Sequence, residues 1–303
     1  MADTARPRHR SQSKFERPPN PFPWGKVITY TILIGGTLFA ILPFLWMVSS
    51  SLMTNGEIAI GRLIPSQPLL SNYPDAWNRA NFAQFMWNSA RITVISISGT
   101  LLFCIPAAYA FARMKFIGRN VLFTVMISTL MIPEIATFIP NFLTVVWLGR
   151  LGQNLCGDAC AWVNNWPSLT VPFMASAFSI FLLRQFFAQI PDDLWDAAQI
   201  DGAGHARFLV SVVIPLSKAP VMTIVTFSFI GSWNALLWPL LVTQSDEWRP
   251  VAVGLTKFVS SDAPGEFALQ MAASVIMVIP ILVLYFFTQR QFTEGIATSG
   301  LKG

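Results

Sequence analysis

Residues 196–220 read Asp196-Ala-Ala-Gln-Ile-Asp-Gly-Ala-Gly-His-Ala-Arg-Phe-Leu-Val-Ser-Val-Val-Ile-Pro-Leu-Ser-Lys-Ala-Pro220, a polar segment set between two long apolar stretches. Just upstream, Pro191 stops the preceding run, because proline lacks the amide proton that a helix interior needs. Asp192 then reads as an N-cap, with Asp193 and Asp196 in the first turn, where negative charge meets the positive end of the helix dipole. Leu194, Ala197, Ala198 and Asp201 follow i, i+3, i+4, i+7 spacing, and the two alanines make a flat face that another surface can approach. Gly202 and Gly204 end this helix of about 192–204 and let the chain reverse. Phe208 to Ile214 opens a new apolar run, which Pro215 breaks in its first turns. A helix lying on a membrane favours basic residues on its polar face, to meet anionic lipid. This polar face is acidic, so it points to a basic protein partner.

The flanks say what kind of chain carries this segment. Hydrophobic residues make up 53% of the 303 and charged residues 12%, about half the charged share of a soluble domain. Charge-free windows run over 27–55, 92–112, 159–183, 219–245 and 267–289, and another over 120–149 is interrupted only by Glu134. Each exceeds the roughly 20 residues that a spanning helix needs. The windows predict an all-α, polytopic membrane protein with six transmembrane helices near 27–50, 89–112, 119–142, 165–189, 209–238 and 268–288. In this division a basic N-terminal tail covers 1–26, the transmembrane domain covers 27–290 with the polar loop at 192–220, and a C-terminal tail covers 291–303.

Six spans put both termini on one face. Fourteen of the 20 Lys and Arg residues fall on that face, among them Arg113, Lys115, Arg119, Arg184 and Arg207. The positive-inside bias makes that face cytoplasmic. The net charge of +5 follows from this sidedness and does not suggest nucleic acid. The first apolar run is too long for a cleaved signal peptide and has no clear small-residue cleavage site after it.

Catalytic patterns are missing. Gly295 to Gly303 is glycine-rich, but Lys302 comes one place too late for a phosphate-binding loop, no strand precedes it, and no Ser or Thr follows for magnesium. The chain is thus read as not hydrolysing ATP, as no enzyme, and as binding no cofactor of its own. The two histidines, His9 and His205, have no soft ligand nearby, so no metal site is read. The carboxylate pairs Asp192/Asp193 and Asp246/Glu247 sit at element edges and suit capping and solvation. Cys104 falls within the second span as a packed apolar residue. Cys156 and Cys160 flank an external loop, where a small disulfide and two free thiols both remain open.

The polar segment resembles the EAA loop of ABC-importer permease subunits. Asp196-Ala197-Ala198 stands for the Glu-Ala-Ala triplet, Gly202 falls at the required spacing, and Val212-Val213-Ile214-Pro215 closes the pattern. Asp196 in place of Glu keeps the charge but shortens its reach by one methylene, and Ile214 replaces a leucine. The likeness extends over about 40–303, through Phe181 to Phe187, Gly231-Ser-Trp-Asn234, Leu237-Trp-Pro-Leu240, Met271-Ala-Ala-Ser274 and the tail ending Leu301-Lys302-Gly303. These stretches are similar to the second permease of maltose-type carbohydrate importers.

The resemblance implies a type I ABC importer permease fold in a prokaryotic inner membrane, with both termini cytoplasmic. It implies half of a translocation path for a sugar or oligosaccharide, or for a polyol or glycerol phosphate. The implied partners are a second, related permease, two cytoplasmic ATPase subunits that hold the ATP and Mg, and an extracytoplasmic solute-binding protein. Asp196, Ala197, Ala198, Asp201, Gly202, Ala203 and Pro215 become the candidate coupling residues. Gly295, Gly300 and Lys302 become a tail that reaches the ATPase pair. For the solute path, Glu134 is the only acid deep in a span, and such acids are functional candidates by default. Solvation at an outer rim is its competing role. Trp233 beside Asn234 pairs an aromatic face with an amide, a combination suited to sugar rings, while interhelical hydrogen bonding is the plainer role for Asn234. An ion-driven carrier would call for several intramembrane carboxylates, and here there is one.

Overall fold

The computed structural model describes residues 24–259 and 266–300, with side chains described for 25–157, 160–259 and 266–289. The basic tail expected over 1–26 lies almost wholly outside them. All secondary structure among the described residues is helical. The chain divides into two units, Met1–Trp46 and Met47–Gly303.

The first unit holds most of α1 (Trp24–Ser51), which has 28 residues. At 1.5 Å per residue it is about 42 Å long, ample for a bilayer core of about 30 Å.

In the second unit, α2 (Asn55–Ala59) begins with a capping box in which the Glu57 amide donates to the Thr54 hydroxyl at 3.2 Å and the Thr54 amide donates to the Glu57 carboxylate at 3.1 Å. The Ser66 hydroxyl and then its amide also donate to this carboxylate, holding the Glu57 pKa at about 2. Next comes α3 (Asn72–Arg79), where the Asn72 amide donates to the carbonyls of Ser51 and Met53.

The longest helix with all its side chains described is α4 (Phe82–Arg113). Ser89, Thr93, Ser96, Thr100, Cys104 and Ala108 make one small-residue face along it, and all six are buried. Small residues let helices approach closely in lipid, where no hydrophobic drive pushes them together. Gly99 shows the closeness: a Cβ there would meet the Met174 Cγ at 2.3 Å. Three apolar clusters all include α4, through Phe82 and Phe85, through Ile92, and through Cys104 to Tyr109.

Three predicted spans are broken helices. The span expected at 119–142 is instead α5 (Arg119–Ser128), a short 3-10 turn, and then α6 (Glu134–Cys156), a spanning-length helix of its own. The break falls at Ile132–Pro133, both in extended backbone, as the steric demand of proline on the residue before it requires. The disulfide Cys156–Cys160 closes the C-terminal end of α6. The span expected at 165–189 is α7 (Trp166–Thr170), a 3-10 turn, and α8 (Ala177–Phe187), bent by 41°.

After α9 (Asp192–Ile200) and α10 (His205–Phe208), five residues widen to a π-helix before α11 (Ile214–Leu216). The helical run 205–216 then meets α12 (Lys218–Trp233) at 83°, so the span expected near 209–238 is a bent pair of helices and not one continuous helix. Ser217, at φ −109° and ψ 30°, makes this corner between Pro215 and Pro220. The wide π turn gives the Pro215 ring room against the preceding carbonyls.

Short helices α13 (Leu237–Val242) and α14 (Val251–Leu255) lead to α15 (Phe267–Gly300). Helix α15 contains the sixth predicted span and continues through 291–300, where a tail was expected. Among the described residues four continuous helices are long and apolar enough to cross a membrane, and the two bent pairs bring the number to the predicted six if each is one span.

Candidate coupling surface and solute cavity

Helix α9 is capped one residue earlier than its composition suggests. Pro191 is the N-cap, and Asp192 is the first helical residue. The Asp192 carboxylate pairs with Arg113, at the end of α4, at 2.9 Å. The same guanidinium donates to the carbonyls of Ile190 at 2.8 Å and Pro191 at 3.3 Å. The Arg113 side chain is 9% exposed although Asp192 is 87% exposed. Arg113 thus clasps the entry to α9 from the permease body. A planar guanidinium suits that task, since it offers several donors in a fixed fork.

A second fastening is aromatic. Trp195 stacks on His205 with ring centroids 4.4 Å apart and meets Phe208 edge-on at 5.0 Å. The His205 Nδ1 shares a 2.8 Å hydrogen bond with the Tyr109 hydroxyl, one helical turn before Arg113 on α4. Trp195 and Ala198, at i and i+3, therefore face the body. This corrects the expected flat outer face, because Ala198 is half-buried beneath the helix while Ala197 is exposed.

The end of α9 is a Schellman motif. Gly202 lies at φ +72°, its amide donates to the Gln199 carbonyl at 3.0 Å, and the Ala203 amide donates to the Ala198 carbonyl at 2.8 Å. Only a residue tolerant of left-handed backbone reverses the chain this tightly. The outer face carries Asp193, Asp196, Ala197 and Asp201, all exposed, and Ile200 at 88% exposure. Among the described residues no ion pair engages Asp193, Asp196 or Asp201. Pro215, the last candidate coupling residue, is exposed on the helical run before the 83° corner.

Of the residues that fix α9, the sequence patterns missed Arg113, Tyr109, Trp195 and His205. Arg113 counted only toward sidedness, and His205 only as an unlikely metal ligand. The one available signal was an aromatic and a histidine flanking the glycine reversal, ten residues apart.

The second candidate region is a cavity of about 1100 Å³ among α4, α6, the break before α8, and α12 to α13. Glu134 and Asn234 both line it, although 100 residues separate them. Glu134 stands in the first turn of α6 because Pro133 starts a helix there, which places the acid at a helix N-terminus and not inside a continuous span. Asn234 is the C-cap of α12, and its amide donates to the Ile230 carbonyl at 3.0 Å.

Trp233 does not join them. It is 3% exposed, stacks on Phe229 at 5.3 Å, and donates its indole N–H to the Met277 carbonyl at 3.0 Å. The helix ends between Trp233 and Asn234, and consecutive helical residues point about 100° apart, so one side chain faces the core and the next faces the cavity. The aromatic wall comes instead from Trp238, whose indole N–H is held by the Ser168 carbonyl at 2.8 Å, with Phe138 and Phe173 edge-on to it. Of the candidate tail residues, Lys302 lies outside the described residues, and Gly295 and Gly300 lie in the stretch of α15 described by backbone alone.

An all-helical set of six apolar crossings, a fastened polar helix between the fourth and fifth, and a cavity along the helix that fastens it describe a transport subunit. Residues 101–297 match the family described as "Binding-protein-dependent transport system inner membrane component", and the chain belongs to that family. It is 28% identical to the lactose transport system permease protein LacG of Rhizobium radiobacter, over 90% of this chain and 95% of that one. It is 30% identical to the sn-glycerol-3-phosphate transport system permease protein UgpE of Brucella abortus, over 90% of this chain and 96% of that one. Among solved structures it resembles a chain of a bacterial ABC transporter involved in the import of the acidic polysaccharide alginate, with a TM-score of 0.77, 25% identity, and coverage of 91% and 100%. The chain is a membrane-spanning permease subunit of an ABC importer.

Proposed function

We propose that this subunit forms half of the translocation path for a sugar or oligosaccharide, and that α9 is the part an ATPase subunit grips. A second, related permease supplies the other half. Two ATPase subunits with ATP and Mg sit beneath the pair, and an extracytoplasmic binding protein delivers the solute. Both termini then lie on the ATPase side, as the basic bias predicts.

The observation that carries this reading is that one helix serves both regions. The inner end of α4 holds α9 through Arg113 and Tyr109, and its middle lines the cavity through Ser96 and Thr100. Movement of α9 when the ATPase dimer closes would act on the cavity through a continuous α-helix, without a loop between. The exposed acids of α9 suit a basic cleft, and Ile200 supplies an apolar anchor. Only a difference in how the ATPase binds the inward-facing and outward-facing states does work on the path.

The test is reconstitution of the four-subunit complex in proteoliposomes with the loaded binding protein. Uptake that requires ATP supports the reading. Uptake that runs on an ion gradient with the ATPase subunits left out sinks it. In the same assay Ala197→Arg, which puts a bulky cation on the exposed acidic face of α9, is expected to insert normally and to lose ATPase assembly or transport.

A further inference from the structure

The cavity wall is uneven in charge. Among the described residues Glu134 is the one charged residue lining it, and none of the lining residues is basic. Among the described residues the Glu134 carboxylate has no ion pair, and the nearby Thr137 hydroxyl donates to the Glu134 backbone carbonyl at 2.8 Å instead. Two arginines are chain neighbours of lining residues, and both are engaged elsewhere. Arg91, beside Ile92, lies over the Trp248 ring at 4.4 Å and donates to the Asn88 side chain. Arg249, beside Pro250, pairs with Asp246 at 3.2 Å and reaches the Thr243 carbonyl.

The remaining polar groups of the wall are hydroxyls and amides, chiefly Ser96, Thr100, Asn141, Ser232 and Asn234. Such groups both donate and accept, as sugar hydroxyls do. One Asn234 amide N–H is spent on Ile230, which leaves the second N–H to donate and the carbonyl oxygen to accept from a solute. Trp238 and Phe138 add apolar faces of the kind on which a sugar ring rests.

We infer that this cavity takes an uncharged, hydroxyl-rich solute and disfavours an anionic one, with the Glu134 carboxylate setting the difference. The inference rests on the translocation role proposed above. It separates solute classes that the resemblance leaves together, since a sugar is uncharged and glycerol phosphate or a uronate is an anion. Two like charges about 8 Å apart at an effective permittivity of about 20 repel by more than a tenfold ratio requires.

The test reads the potential of the cavity directly in the assembled transporter. Asn234→Cys is placed in the wall, with Ala235→Cys as a second reporter should the first fail to assemble. Cys104 is buried, and Cys156 and Cys160 are joined, so the new thiol is the reactive one among the described residues. With each rate divided by that reagent's rate toward a free small thiol in water, a cationic methanethiosulfonate reagent is expected to modify it at least about tenfold faster than an anionic one. The ratio should fall toward one in Glu134→Gln and invert in Glu134→Lys. A ratio near one with Glu134 intact, unchanged in Glu134→Lys, overturns the inference.

Uptake supplies the second arm. With saturating binding protein, an uncharged disaccharide should enter at least about tenfold faster than a uronate disaccharide of equal length. Equal rates also overturn the inference. If neither solute enters under ATP while the reagent ratio stays high, the transport role fails and the charge assignment stands.

Discussion

Helix α9 and the solute cavity are built in opposite ways. Residues within about 25 positions of each other make α9, its reversal and its proline, and two residues of α4 fasten them. The cavity takes its wall from α4, α6, α8, α12 and α13, so its residues lie as far apart as Ile92 and Pro250. The fastened helix is also specific in its contacts, because a few directional bonds hold it. The cavity wall holds little except its own shape, and its chemistry is open to whatever enters. A lever needs rigid attachment at one end, whereas a path needs groups left unspent.

The most severe way to break this contrast is to cut the fastening. Arg113→Ala removes two carbonyl contacts and the pair with Asp192. Hydrogen bonds to a charged group contribute about 1.5–3 kcal/mol, enough to free the entry to α9. Uptake should fall more than about tenfold on that scale, while ATP hydrolysis by the complex persists without stimulation by the loaded binding protein. Arg113→Lys should recover only part, since an ammonium lacks the fork. Wild-type uptake in an Arg113→Ala complex would falsify the clasp.

A smaller effect is expected at the reversal. No atom stands within 4 Å of a Cβ built on Gly202, so only its backbone conformation resists substitution. Gly202→Ala should cost about 1–2 kcal/mol locally and reduce co-purification of the ATPase several-fold. Gly202→Asn should sit nearer to wild type, because asparagine visits left-handed backbone more readily. Equal loss in both variants would mean that the Cβ itself blocks the partner, which places the docking surface directly on Gly202.

Weaker still is Trp233→Phe, which sharpens the boundary of the cavity. It deletes the bond to Met277 and should lower thermal stability by about 1 kcal/mol. The relative uptake of different sugars should not change. A changed preference would return Trp233 to the solute path.

The smallest effect concerns the loop after α13. Hydrogen bonds from Lys257, and less strongly from Arg249, hold the Asp246 carboxyl below its ordinary value of 3.8, against a smaller opposing effect of burial. A depressed pKa contributes stability that is present above the unfolded value and lost as pH falls through the folded one. Hydrogen exchange over 243–258, corrected for intrinsic rate, should therefore be flat from neutral pH down to about 5 and rise only in stronger acid. Deprotection already at pH 6 would show that another group controls the loop.

Most of the coupling helix was legible because its determinants are local. Acids at an N-terminus, glycine at a reversal and proline after a break act within a few residues, so composition and spacing reveal them. The small-residue face of α4 went unread, although Ser89, Thr93, Ser96, Thr100, Cys104 and Ala108 recur at helical intervals, because hydropathy averages over small residues. The breaks in the third, fourth and fifth spans were not read, because hydropathy reports an apolar stretch whether or not the helix through it is continuous. Pro133 and Pro215 marked the places, but the 83° turn at Ser217 follows from how α12 packs against α4.

The sequence by itself determined that the chain lives in lipid, that a short acidic helix interrupts its spans, and that it carries no phosphate loop of its own. These follow from hydrophobicity, charge and local backbone preference. Only the tertiary structure decided which face of α9 is outward, that Arg113 and Tyr109 hold it, and that Glu134 and Asn234 share a cavity while Trp233 does not. Those outcomes depend on contacts between residues about 10 to 100 positions apart. Such contacts are chosen by packing many helices at once, and no window of sequence contains them.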